Sequence, residues 1–454
     1  MKFDILCTQD LGTGFKIRKF VYDNQTSEIF DEDNNPIFKQ PATKKYCKNC
    51  ATKKVSRDNP GVKTGSNVRN LKIQLGLSCN YSCEYCSQRF VPNADETSHK
   101  NVDKFMKNLD LWLHNPPKKI EFWGGEPLVY WKTLKPLAEA LREKFPDVTF
   151  YMITNGSLLT PEINQWIVDM NMDISISHDG PGQVVRGPDP FEDPASREAI
   201  EDLWWKKNGN MSFNSMAHRE NMDRKKIAEF FKERFGPKVV IGEGAYIDAY
   251  DEGGLKNTYC TTEEFYAFRR LTMHQLREGS LHNFLFTKKR LQDWLESFKE
   301  FRPADVVGQK CGMDRPDIIA VDLRGNVLTC QNVSAVSTKD NGQPHLIGHV
   351  SNMDKVKLNT STHWSHREDC VKCPLLQGCK GSCMFLDDEK FKISCDAAYS
   401  DHLPFFCAAF EMVTGCLPFA IQAQDNSLPE ERADLWGRAS EKYTIPKTRE
   451  SSNV

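Results

Sequence analysis

The stretch LSCNYSCEYCSQRF, residues 77–90, sets cysteines at 79, 83 and 86 with Tyr85 directly before the last. Three thiols with gaps of three and two residues form a metal site one ligand short. A cubane [4Fe–4S] cluster is ordinarily held by four thiolates. Held by three, it keeps one iron open for a substrate or cofactor. The same trio also fits a structural zinc site completed from elsewhere in the chain, and the surrounding sequence has to decide between the two.

That surrounding chain has 454 residues, 39% of them apolar and 27% charged, with a formal net charge of −2. The length suffices for two or three domains. The charge balance argues against bulk binding to nucleic acid or to an anionic membrane. No apolar run approaches the ~20 residues needed to span a bilayer. The opening MKFDILCTQDLGTGF has acids inside its apolar stretch and no cleavage-site pattern, so a cytoplasmic protein is expected. In a reducing compartment, clustered cysteines are ligands more often than disulfides. The sixteen cysteines are indeed clustered: three within 79–86, four within 370–383, and only Cys260 between Cys86 and Cys311.

Strand and helix patterns alternate from residue 70. NLKIQLGLS, KIEFWGG, VTFYMITNG, MDISISHDG, MSFNSMAH and VVIGEGAYI read as strands. NVDKFMKNLDLWL, LKPLAEALREKF, TPEINQWIVDM and RKKIAEFFKERF read as helices, with Leu134, Leu137, Ala138 and Leu141 on one face of the second. Thr160 and Pro161 have the chemistry of an N-cap and a first helical residue. Such units predict an α/β fold, a parallel sheet curled into a full or partial barrel, with the chemistry at the C-terminal strand ends. The expected divisions are an N-terminal β-rich extension over 1–69, the barrel over 70–260, a helical bridge over 261–304, a cysteine-rich domain over 305–420 and a polar tail over 421–454.

Three motifs fall at successive strand ends: FWGGEPL (122–128), ITNGSLL (153–159) and ISISHDGP (174–181), with Arg186 shortly after. Paired glycines let backbone approach a ligand closely, and the Glu126 carboxylate accepts from an ammonium. Taken singly, GGEP is no more than a loop turn. Taken together, CxxxCxxC with its preceding aromatic, GGEP, TNG and S-x-DGP resemble the radical S-adenosylmethionine (SAM) superfamily over about residues 70–250. The resemblance implies a partial (β/α)6 barrel. It assigns Cys79, Cys83 and Cys86 to a cluster whose open iron is chelated by the amino and carboxylate groups of SAM. Gly124, Gly125 and Glu126 would hold the methionyl amine, Ser177 and Arg186 would contact the carboxylate or ribose, and Asn155 would shape the pocket.

Further on, Cys311, Gly325 and Cys330 form C-x13-G-x4-C, and CVKCPLLQGCKGSC carries Cys370, Cys373, Cys379 and Cys383. A pair such as CVKC alone is the mark of a zinc ribbon. In this order the pattern resembles the SPASM extension, which follows radical SAM domains and carries two auxiliary [4Fe–4S] clusters. The resemblance puts Cys311, Cys330 and Cys383 on the first, leaving an open iron or a replacement ligand such as Cys395 or Asp305. It puts Cys370, Cys373 and Cys379 on the second, to be completed by Cys407 in preference to Cys395. Cys47 and Cys50 are either half a zinc site or spare thiols, and Cys7, Cys260 and Cys416 are buried or free thiols.

The resemblance implies a radical SAM oxidoreductase with three [4Fe–4S] clusters, supplied with electrons by a donor of flavodoxin or ferredoxin type. It would generate a 5′-deoxyadenosyl radical that takes hydrogen from a precursor peptide, giving a thioether, carbon–carbon or ether crosslink or an oxidised side chain. The N-terminal extension would recognise the peptide or serve as a structural cap. Two other functions compete: dehydrogenation of a small alcohol or sugar, and a non-catalytic iron–sulfur electron carrier or redox sensor. The GGEP, TNG and S-x-DGP set weighs against the carrier, which needs no SAM pocket. Sulfatase-maturing members of the family carry an aspartate base after the cysteine matching Cys330. Gln331 stands there, which argues against formylglycine formation. No residue is singled out as catalytic.

Overall fold

The computed structural model describes residues 1–43, 45–46, 67–89, 91–92, 97–259, 261–339, 342–358, 363–383, 386 and 388–437. Cys47, Cys50 and Cys260 lie outside the described residues.

Two nine-residue strands, β1 (Lys2–Asp10) and β2 (Phe15–Asp23), form a hairpin, and the short β3 (Ile29–Phe30) pairs with the end of β2. The barrel comes next in chain order: β4 (Asn70–Gln74), α1 (Val102–Leu109), β5 (Lys119–Trp123), α2 (Trp131–Lys144), β6 (Thr149–Thr154), α3 (Pro161–Asp169), β7 (Met172–Ser177), α4 (Pro194–Lys206), β8 (Ser212–Asn214), α5 (Arg224–Phe235) and β9 (Val240–Glu243). All six strands, β4 to β9, are parallel and lie side by side in sequence order. Helix α2 buries the expected Leu134, Leu137, Ala138 and Leu141. At the start of α3 the Thr160 hydroxyl accepts from the Ile163 N–H at 3.2 Å, satisfying one of the donors a helix start leaves open. Helix α4 escaped the sequence pattern, although Asp193 and Pro194 mark its start in the same way, Asp193 accepting from the Ser196 N–H.

After α6 (Glu252–Lys256) come helices α7 (Thr262–Glu278) and α8 (Leu285–Glu300), within the 261–304 segment. The cysteine-rich segment then joins the barrel sheet. Its strand β10 (Ile318–Asp322) runs parallel to β4 with Ile318 opposite Asn70, and β11 (Asn326–Leu328) and β12 (Leu346–His349) add antiparallel beyond it. One nine-stranded sheet thus spans two expected domains. This is an open, partial barrel extended at its first strand.

Short helices α9 (Glu368–Val371) and α10 (Leu376–Cys379) lead into the long α11 (Asp388–Thr414), which packs on α7 and α8. Residues 421–437 are not part of the polar tail that composition predicts over 421–454. Strand β13 (Leu417–Ala423) pairs antiparallel with β1, Phe3 opposite Ala423, and α12 (Glu430–Ala433) leads to buried Leu435 and Trp436. The N-terminal segment is likewise no separate unit, because its sheet is completed by β13. No helix among the described residues is long and apolar enough to cross a membrane.

Candidate functional site

At the C-terminal ends of β4 to β7 lies a cavity of about 420 Å³. Its walls include Cys79, Cys83 and Cys86 from the loop after β4, Gly124, Gly125 and Glu126 from the loop after β5, Asn155 after β6, Ser177 at the end of β7, and Arg186. Every residue singled out for the first cluster and for SAM is therefore brought to one place.

The glycine loop has a physical basis beyond the one expected. A Cβ on Gly125 would stand 2.4 Å from the carbonyl oxygens of Leu77 and Ser78, so the two loops touch backbone to backbone and Glu126 N–H donates to Ser78 O at 3.0 Å. Gly125 thus allows close packing against the cysteine loop as well as lining the cavity. Tyr130 braces the same loop, its hydroxyl accepting from the Ser78 N–H at 2.6 Å.

Glu126 is 2% exposed and already engaged. Its Oε1 accepts from Leu128 N–H (3.0 Å) and Thr154 Oγ1 (2.7 Å), and its Oε2 accepts from Asn155 N–H (2.7 Å). Burial pushes the carboxyl up, and these donors oppose the rise. A carboxylate offers about four acceptor sites, so one remains for a ligand ammonium. Glu126→Ala removes that acceptor and strands three donors at roughly 1–3 kcal/mol each. We expect SAM affinity to fall at least about tenfold, one decade per 1.4 kcal/mol, together with the unfolding midpoint. Equilibrium dialysis under anaerobic conditions checks the first. A lowered midpoint with unchanged affinity would leave Glu126 as a loop brace alone.

Asn155 couples the TNG and cysteine loops: its Nδ2 donates to Asn80 Oδ1 at 2.8 Å, and its Oδ1 accepts from Ser157 N–H and Oγ. Arg186 departs from the expected carboxylate contact. Its Nη2 pairs with buried Asp179 at 2.8 Å, while its Nε is buried without a partner. Burial alone would weaken the Arg186 charge, but Asp179, Tyr85 and Cys83 outweigh it and raise its pKa. The role of Asp179 was missed in the sequence. It also accepts from the Tyr85 hydroxyl and from Met216 N–H. The tyrosine before Cys86 thereby anchors the cysteine loop to the DGP loop, a link that the shared motif order hints at but spacing cannot show.

A second cavity, about 390 Å³, is shared by Cys86 and by Cys330 and Cys383. Cys330 is half-buried, and its loss of solvent with the nearby Cys383 and Cys311 pushes its thiol up to about 12. Cys330 and Cys383 share the cavity, and Cys311, which is exposed, is close enough to act on Cys330. Asp305 is exposed on the turn Ala304–Val306. The side chain that meets Cys383 is instead Tyr250, whose hydroxyl hydrogen-bonds to it. Gln331 beside Cys330 is engaged by Lys72 Nζ at 3.1 Å. Burial, with Lys339 close by, lowers His345 in this cavity to about 4, so its ring is neutral near pH 7.

Cys370, Cys373, Cys379 and Cys395 line a third, small and largely apolar cavity with Leu375, Phe391 and Tyr399. The preference for Cys407 is thereby corrected. Cys407 is fully buried in the main core, where its neighbours include Cys7. Both residues lie on α11, twelve residues apart, which is about 18 Å along a helix and roughly 120° around it. One compact group cannot use both. Of the two, Cys395 is the one that lines the cavity of Cys370, Cys373 and Cys379.

Residues 73–193 match the Radical SAM superfamily profile. Over that segment the chain is similar to the radical SAM superfamily, whose members bind SAM and a [4Fe–4S] cluster. Radical SAM cyclopropyl synthase TigE of Paramaledivibacter caminithermalis is 21% identical over 356 residues, 73% of this chain and 71% of that protein. The putative peptide biosynthesis protein YydG of Bacillus subtilis is 28% identical over 122 residues, 24% of this chain and 36% of that one. Among solved structures, native anSMEcpe with bound AdoMet and Kp18Cys peptide superposes with a TM-score of 0.54 at 18% identity, over 76% of this chain and 99% of that one. At that identity the likeness speaks for the fold.

Proposed function

We propose that this chain is a peptide-modifying radical SAM enzyme with two auxiliary iron–sulfur centres. The observation that carries the proposal is the cavity in which three thiols face Gly124–Glu126, Asn155, Ser177 and Arg186. That donor set fits a cubane that would be held by three thiolates, in a cavity with room for a ligand beside them. When bound, the cluster and SAM supply reductive cleavage of SAM to a 5′-deoxyadenosyl radical.

This chain's own residues bind and orient. Cys79, Cys83 and Cys86 hold the cluster on a loop fixed by Tyr85, Tyr130 and Gly125. Glu126 offers its remaining acceptor site to the methionyl amine, and Ser177 lies in reach of the carboxylate or ribose. Arg186, paired with Asp179, borders the cavity near Cys83. Cys311, Cys330 and Cys383 hold the first auxiliary centre, and Cys370, Cys373, Cys379 and Cys395 the second. The substrate group to be modified enters the cavity between Cys86 and Cys330.

A peptide substrate is supported by two findings. YydG, named a putative peptide biosynthesis protein, resembles part of this chain, and anSMEcpe, with the same fold, has been solved with a peptide bound. TigE's name makes carbon–carbon ring closure the first product to look for. Gln331, held by Lys72, offers no carboxylate base where formylglycine formation would need one.

The test is anaerobic reconstitution followed by SAM, dithionite and quantification of 5′-deoxyadenosine. Product is expected from the wild type, with a fall to background in Cys83→Ala. Adding the products of small neighbouring reading frames should raise turnover and give a peptide of altered mass. Intact clusters with no 5′-deoxyadenosine under either condition would sink the enzymatic proposal in favour of an electron carrier.

A further inference from the structure

Helix α12, in the segment expected to be a tail, brings Arg432 to the second auxiliary group. Its Nη2 lies 3.3 Å from Cys395 Sγ and 2.6 Å from Asp396. Reduction adds negative charge to an iron–sulfur cluster, so a cation or hydrogen-bond donor at its sulfurs stabilises the reduced state and raises the potential. Asp396 opposes this, but it is 48% exposed while Arg432 is 16% exposed, and water screens the more exposed charge. The charge of Lys310 also acts on Cys379.

The first auxiliary group is dressed differently. Donors at its sulfurs include the neutral phenol of Tyr250 on Cys383 and the Asn332 N–H on Cys330 at 3.3 Å, with the Asp248 carboxylate nearby. Lys72 acts on Cys330, but Glu121 stands 3.7 Å from it. Charge-assisted hydrogen bonds are roughly twice as strong as neutral ones. Arg367 acts on cysteines of both groups and so does not rank them.

We propose that Arg432 holds the Cys370/Cys373/Cys379/Cys395 centre at a higher reduction potential than the Cys311/Cys330/Cys383 centre, so that one electron shared between them resides on the former. The inference rests on the reading that both groups hold [4Fe–4S] clusters. The transfer is balanced within the chain: the first centre is oxidised by one electron, the second is reduced by one, and no bond or proton changes place. The first centre borders the cavity it shares with Cys86, and the quartet lines a cavity of its own. An electron released on the substrate side therefore moves away from it. Arg432 touches no reacting atom and is a positioning residue.

The test is a redox titration with EPR detection on full-length protein in which Cys79, Cys83 and Cys86 are alanine, leaving the two auxiliary centres. Two reduction steps are expected, and adding Cys395→Ala should delete the upper one along with its iron. Arg432→Gln should lower the upper midpoint, Arg432→Lys should restore part of it, and Asp396→Asn should raise it, with the lower step unmoved throughout. Should Arg432→Gln fail to load its cluster, the half-exposed Asp396→Asn decides. An upper step assigned to the other centre, or midpoints unmoved at full iron content, overturns the proposal. Iron content unchanged by Cys395→Ala overturns the cluster reading beneath it.

Discussion

Asp401→Ala should destabilise the protein by about 3–5 kcal/mol, the cost of leaving buried charge without its partner. Asp401 lies on α11 and is 3% exposed. It pairs with fully buried Arg224 at the start of α5 and with Arg290 on α8 at 2.8 Å. One carboxylate thus fastens the cysteine-bearing helix to the barrel and the bridge. Burial alone would raise its pKa, but Arg290 and Arg224 override that and hold it well below the ordinary carboxylate range. A depressed carboxylate binds its proton more readily in the unfolded chain. Its contribution is therefore complete above about pH 5 and is lost as pH falls below about 4. Denaturant unfolding should show the gap between wild type and variant constant from pH 8 to 5 and narrowing at lower pH. A gap below about 1 kcal/mol at pH 7 would mean that solvent reaches the pair.

Cys395→Ala should lose one cluster, about four of roughly twelve irons if three cubanes are bound, whereas Cys407→Ala should keep all of them. The second substitution only trims a core thiol and should cost roughly 1 kcal/mol. Iron and sulfide analysis after anaerobic reconstitution separates the two. Loss of iron from Cys407→Ala with none from Cys395→Ala would contradict the grouping of thiols around α11.

The barrel was legible in the sequence because its pairings are local and periodic. Most strands of 70–247 are bounded by turn residues and followed by a helix whose apolar stripe repeats at 3.6, and GGEP, TNG and DGP fall where strands end. The same logic found Thr160 and passed over Asp193, which precedes a helix whose apolar face is interrupted by charged residues. The choice between Cys395 and Cys407 was not legible. Spacing along a chain does not tell which turn of a 27-residue helix faces a cavity. Nor was the engagement of Arg186 with Asp179, since either partner could equally have met a ligand. Strand β13 was hidden because its partner lies at the far end of the sequence, beyond the reach of any local pattern.

That pairing of β1 with β13 also sets a timetable for the nascent chain. Asp4 and Gln424, linked by a side-chain hydrogen bond, are 420 positions apart. At about 5–20 residues per second of synthesis, the first strand waits roughly 20–80 s for its neighbour. Meanwhile β1 and β2 have mainly each other, and a lone two-stranded ribbon is marginal in water. Phe3, Ile5, Phe20 and Tyr22, all buried at the end, are a sticky surface on the ribosome until residue 423 emerges. Chaperone demand should therefore persist until residue 423 has emerged, and emergence of that strand, not of the barrel, is when the sheet closes.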